Sequence, residues 1–93
     1  MFDHTPTRPL FALVIGPDVR LARGALTKLK RPVDVTVLTK PDEIPNGDAD
    51  EHVASDVAPF THGSFDVVIA PPAYIADAKT LVSPGGQLVQ VRP

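Results

Sequence analysis

Leu10-Phe11-Ala12-Leu13-Val14-Ile15-Gly16-Pro17-Asp18-Val19 is the stretch that decides the fold of this chain. Its apolar run from Leu10 to Ile15 is continuous rather than alternating, the pattern of a parallel strand buried on both faces. Gly16 and Pro17 end the run, and Asp18 stands where a helix N-cap is needed. Val19, Leu21, Ala22, Ala25, Leu26 and Leu29 then recur at three- and four-residue spacing. That spacing predicts a helix over Val19–Lys30 with one apolar stripe. The basic residues fall on its other face and in its last turn, where they suit the helix dipole. A buried strand, a glycine turn and a helix open an α/β domain, whose ligands sit at the carboxyl ends of the strands.

Working outward, Val33–Leu38 is a second β-branched run, with Pro32 setting its start. Pro41–Asp50 is polar and broken by prolines, so a loop is expected where a helix would ordinarily stand. Glu51–Ser55 reads as a short third strand and Phe65–Ala70 as the clearest buried one. Tyr74–Leu81 carries about two turns of helix, Pro84-Gly85-Gly86 is a turn, and Gln87–Val91 is a last strand. Alternating strands and helices imply a parallel sheet. The expected fold is therefore α/β, a reduced Rossmann-like three-layer sandwich of about five mostly parallel strands. One domain spans residues 10–93, with residues 1–9 as an N-terminal extension. With a loop replacing a helix, one sheet face is expected to be thinly covered and hidden against another surface.

Composition narrows the function classes. The 93 residues are 43% hydrophobic and 22% charged, a globular balance, and they suit one small domain. With no cysteine, disulfides, thiolate metal sites and cysteine nucleophiles are excluded. Nine basic against 11 acidic residues give a net charge of -2, which argues against a nucleic-acid partner. Arg20, Arg23, Lys28, Lys30 and Arg31 form a local basic cluster, read as the solvated face of the first helix. No apolar run has the roughly 20 residues of a membrane span, and Met1-Phe2-Asp3-His4 lacks a signal-peptide pattern. A cytoplasmic setting is expected. His4, His52 and His62 show no ligand spacing, so no metal site is expected. Ser55, Ser64 and Ser83 lack the context of a nucleophile elbow. Asp42, Glu43, Asp48, Asp50 and Glu51 make an acidic loop, expected to face the carboxyl ends of the strands. The 11 prolines punctuate the elements rather than repeat.

Two further stretches carry a resemblance. Ala54-Ser55-Asp56-Val57-Ala58-Pro59-Phe60 is followed by Gly63-Ser64-Phe65-Asp66-Val67-Val68-Ile69, and later by Leu81-Val82-Ser83-Pro84-Gly85-Gly86-Gln87-Leu88-Val89. In this order and spacing, from about Leu10 to Val91, the chain resembles the class I S-adenosylmethionine-dependent methyltransferases. The resemblance implies their sheet, here without the C-terminal hairpin strands. It implies S-adenosylmethionine as cofactor if the site is functional, held by Gly16, Asp18, Asp42, Asp56 and Val57. Asp56 matches the acid that meets the adenine amino group.

The departures from that family gather at the cofactor. Its members carry several glycines after the first strand, where this chain has Gly16-Pro17-Asp18-Val19. They end the second strand on a carboxylate that accepts from both ribose hydroxyls, a task suited to an acceptor-only group. Here the residues are Thr39-Lys40, with Asp42 and Glu43 later. Ala70-Pro71-Pro72-Ala73-Tyr74 resembles the Asp/Asn-Pro-Pro-aromatic motif of amine methyltransferases, but Ala70 supplies no acceptor. The expectation is a non-catalytic methyltransferase-like module, without bound cofactor, acting in protein interaction or assembly with a protein partner or as a homodimer. The alternative is a minimal active methyltransferase, with Asp42 or Glu43 on the ribose.

Overall fold

The central strand, β1 (Leu10–Ile15), is buried from Ala12 through Ile15, as a run apolar on both faces requires. A computed structural model describes residues 9–57 and 59–90. The expected N-terminal extension (apart from Pro9), Ala58 and the last residue of the expected final strand lie outside them. After β1 come α1 (Val19–Thr27), β2 (Val33–Thr39), β3 (Glu51–Ala54), β4 (Phe65–Ala70), a 3-10 turn at Pro72–Tyr74, α2 (Ile75–Leu81) and β5 (Val82–Gln90). The five strands form one sheet in the order β3-β2-β1-β4-β5, and every pair is parallel. This is the reduced Rossmann-like α/β sandwich that the strand and helix pattern predicts.

The helices cover opposite faces. Ala12 and Val14 of β1 pack with Val35, Val37, Val67 and Ile69 under α1. Leu13 and Ile15, one residue out of phase, pack with Val68, Ala70, Ala78 and Leu81 under α2. Alternate residues of β1 thus feed two cores, so that central strand is apolar throughout.

The helix α1 is shorter than its periodicity suggests. It stops at Thr27, whose hydroxyl donates back to the Arg23 carbonyl at 2.8 Å. Lys28 to Lys30 continue as a turn, with Lys30 at φ 54°. The buried stripe is Val19, Ala22 and Leu26, whereas Leu21 is 54% exposed.

Pro84-Gly85-Gly86 does not end a strand. Val82 pairs with Phe65 and Gln87 with Val67, so residues 83–86 bulge opposite Asp66 while β5 continues. Gly85 has φ 81°, and a Cβ on Gly86 would lie 2.6 Å from the Asp66 carbonyl oxygen. Both positions demand glycine.

The sheet faces are covered more fully than a missing helix implies. Residues 40–50 run beside α1 and pack Ala49 against the α1-side core. On the other face, residues 59–64 lead into β4. Phe60 packs there, edge-on to Phe65 with centroids 5.1 Å apart. Among the described residues the exposed large hydrophobics are Phe11, Leu21, Ile44 and Val57.

Candidate functional site

A cleft of about 470 Å³ opens at the carboxyl ends of β1, β2, β3 and β4. In a 3-2-1-4-5 sheet the chain reverses direction of travel between β1 and β4, and a crevice forms there. Its apolar lining is Ile15, Leu38 and Leu81, which are buried, with Phe60 and Tyr74, which are half-buried. Lys40, Asp56, His62 and Asp77 line it as exposed polar groups, and Glu43 as a half-buried one. A cleft of this size falls within the roughly 300–1,000 Å³ of small-molecule sites.

The sequence-expected residues divide. Gly16, Asp56 and Val57 line the cleft; Asp18 and Asp42 do not. Gly16 has φ 109°, a conformation that L side chains rarely adopt. Its N–H donates to the Leu38 carbonyl at 2.8 Å, which links the ends of β1 and β2. Asp18 caps α1, its Oδ1 accepting from the Leu21 N–H at 3.3 Å.

Glu43 lines the cleft in place of Asp42, and its Oε1 accepts from the Lys40 N–H at 3.1 Å. Beneath it Thr39 Oγ1 donates to the Glu43 carbonyl at 3.3 Å and lies 2.7 Å from His52 Nε2.

The start of α1 is closed by the chain itself. A helix leaves its first N–H groups without intrahelical partners, and these ordinarily make it an anion site. Here Val19 N–H donates to the Pro17 carbonyl at 3.0 Å and Ala22 N–H to the Asp18 carbonyl at 3.4 Å. Arg20 N–H donates to Asn46 Oδ1 at 3.0 Å, and Asp18 takes Leu21. Asn46 also donates through Nδ2 to Asp18 Oδ1 at 2.9 Å and through its backbone N–H to the Pro17 carbonyl at 2.8 Å. The Val19, Arg20 and Leu21 amides are thus engaged, the last two by side chains that bond each other, while the Ala22 bond is the first of the helix's own ladder.

Sequence reasoning missed Asn46. It falls within the loop expected over Pro41–Asp50, and the role of its carboxamide depends on where that loop returns. Gly47 allows that return, since a Cβ there would sit 3.2 Å from Arg20 Cγ.

The acidic loop is spread along the molecule rather than gathered at the cleft. Among its five acids only Glu43 lines it. Asp50 sits at the amino end of β3, where its Oδ2 accepts from the Val35 N–H at 2.7 Å. The Asp48 carbonyl accepts from Arg23 Nε at 2.6 Å. Ala70 is fully buried, while Pro71 and Tyr74 reach the cleft. Among the described residues no three His, Asp or Glu side chains gather as a metal site. No helix there is long and apolar enough to cross a membrane.

Fold and cleft together define a small parallel α/β domain with a crevice at its switch point and a self-capped first helix. Comparison with family models, curated proteins and solved structures finds no match to this chain.

Proposed function

We propose that this chain is a non-catalytic, methyltransferase-like module that acts in protein interaction or assembly in the cytoplasm and holds no S-adenosylmethionine. The observation that carries the proposal is the Asn46–Asp18 pair on the first turn of α1. In the family that the sequence resembles, the turn after the first strand receives the methionine end of the cofactor. Here the N–H groups of Gly16, Val19, Arg20 and Leu21 already have acceptors, and a ligand carboxylate would have to displace two side chains to reach those of Arg20 and Leu21. A carboxylate so excluded loses charge-assisted bonds of roughly 1.5–3 kcal/mol each. Lys40, at the end of β2, supplies no acceptor for a ribose.

Titration calorimetry with S-adenosylmethionine and S-adenosylhomocysteine tests the proposal. No binding heat at micromolar ligand is expected, and a dissociation constant at or below about 1 μM would overturn it.

One observation favours a second reading, a minimal active methyltransferase. The cleft is large enough for a nucleoside, and Gly16, Asp56 and Val57 line it together with Glu43. Asp56 would then meet adenine and Glu43 the ribose. In-line methyl transfer needs chiefly positioning, so the lack of an acceptor at Ala70 is not fatal to it.

A further inference from the structure

The charge of this chain is segregated. The stretch from Val19 to Val33 holds five of the nine basic residues and none of the 11 acidic ones. Arg20, Arg23, Lys28, Lys30 and Arg31 are all exposed. Among the described residues, the side chains of Arg20, Lys28 and Lys30 make no hydrogen bond or ion pair.

Arg23 is held in place. Its Nε donates to the Asp48 carbonyl at 2.6 Å, which fixes the guanidinium beside the loop after β2 and leaves its two terminal nitrogens for another acceptor. The Asp48 carboxylate forms no ion pair with it. Arg20 lies along the same loop, because Gly47 has no Cβ to meet its Cγ, and the two arginines line one open groove with Pro45, Asn46 and Asp48. A guanidinium oriented in this way matches a carboxylate end-on.

Gly24 breaks a local rule on the same helix. With Val19, Ala22 and Leu26 buried, the 3.6-residue period puts Gly24 opposite them, in the middle of the outer face. Arg20 flanks it on one side, Leu21 and Lys28 on the other. Gly24 is exposed, and an added Cβ would meet nothing within 4 Å. A glycine weakens a helix interior, and nothing in the fold of this chain requires one here. Close approach of another backbone does require one, and a local rule broken without a structural return is expected at a functional surface. Leu21, 54% exposed beside it, offers an apolar contact.

We infer that the outer face of α1 docks an acidic segment of a partner protein. The backbone of that segment passes over Gly24, with a carboxylate on the terminal nitrogens of Arg23 and an apolar side chain on Leu21. The occupant follows from charge: cations unrelieved by any acid between Val19 and Val33 attract carboxylates and disfavour a basic partner. A nucleic acid offers little to Leu21, and an extended polyanion meets the acidic remainder of the chain, which repels it. This inference rests on the interaction role proposed above and names its surface and the chemistry of its partner.

Fluorescence anisotropy with a labelled peptide of repeated Glu-Leu-Glu-Glu units tests it. Saturable binding at or below roughly 100 μM is expected, and none for the same peptide with lysine in place of glutamate. Arg23→Lys keeps the charge and loses the fork, and is expected to weaken binding about tenfold. Gly24→Leu changes no charge and favours the helix, and is expected to weaken binding as much by blocking the passage. Circular dichroism is expected to be unchanged in both, and should Arg23→Lys not fold, Gly24→Leu decides. No saturable binding below about 1 mM would overturn the inference. Unchanged affinity in Gly24→Leu would also overturn it, since attraction between charges alone would then suffice. Tighter binding of a polythymidine strand or of phosphatidylserine vesicles would overturn it as well. Cofactor binding is scored by a separate titration. Tight S-adenosylmethionine binding would defeat the non-catalytic role and leave this surface standing, and loss of the surface would leave the closed helix end intact.

Discussion

Asn46 Nδ2 donates to Asp18 Oδ1 at 2.9 Å, joining residues 28 apart and tying the loop after β2 to the first turn of α1. The same oxygen of Asp18 accepts from Leu21 N–H, and Asn46 Oδ1 accepts from Arg20 N–H. The pair therefore acts as a two-residue cap in which each side chain orients the other.

Asp18→Ala and Asn46→Ala are each expected to cost about 1–2 kcal/mol of folding stability, since each strips an acceptor from a helix N–H. Because the two side chains share a bond, the double variant should fall short of the sum by about 0.5 kcal/mol or more. Urea denaturation of the four proteins measures this. Strict additivity would show that the caps work independently.

Asp56→Ala is expected to change stability by no more than about 0.5 kcal/mol, because the side chain is exposed in a loop. Asp50→Ala should cost about 1–3 kcal/mol, since it takes the carboxylate acceptor from the N–H of the buried Val35. The same denaturation series compares them, and a reversed order would contradict the roles assigned to these acids.

Two glycines should respond oppositely to alanine. Gly24 lies in α1 with nothing within 4 Å of a Cβ, so Gly24→Ala is expected to gain about 0.5–1 kcal/mol. Gly86→Ala drives a Cβ to 2.6 Å from the Asp66 carbonyl and 2.8 Å from Val82 Cγ1. Overpacking of that kind costs about 1–3 kcal/mol. Thermal unfolding distinguishes them, and a tolerated Gly86→Ala would mean the bulge is looser than its contacts indicate.

Lys30 sits at φ 54° just beyond α1, a left-handed position where a side chain costs about 1–2 kcal/mol. Lys30→Gly is expected to raise the melting temperature, and Lys30→Val to lower it. A drop on Lys30→Gly would show that the lysine side chain contributes more than its backbone strain removes.

The strands were legible because burial on both faces favours apolar residues: β1 is an unbroken apolar run, and β2 and β4 are mostly apolar, interrupted by Asp34, Thr36 and Thr39 in β2 and by Asp66 in β4. The N-cap at Asp18 was legible for a similarly local reason, since a short acceptor stood before the helix periodicity. What depended on distant chain was not. The bulge at Pro84-Gly85-Gly86 looks in sequence like the end of something, and only the pairing of Val82 with Phe65 shows the strand running through it. Leu21 has the spacing of a core residue but lies off the stripe that Val19, Ala22 and Leu26 bury. Glu43 rather than Asp42 lines the cleft because the turn after β2 folds Glu43 back onto the Lys40 N–H. Asn46 carries no local signal at all, and it is the residue that closes the helix.

Amide shift mapping by two-dimensional NMR during an S-adenosylmethionine titration tests the closed helix end most directly. The amides of Gly16, Arg20 and Leu21 report the bonds to Leu38, Asn46 and Asp18 one by one. They are expected to hold their positions up to roughly millimolar ligand, the range in which binding is worth only about 4 kcal/mol. Saturable movement of these three amides at micromolar ligand, with Asp56 moving alongside, would mean that the caps yield to the cofactor and would contradict the non-catalytic account.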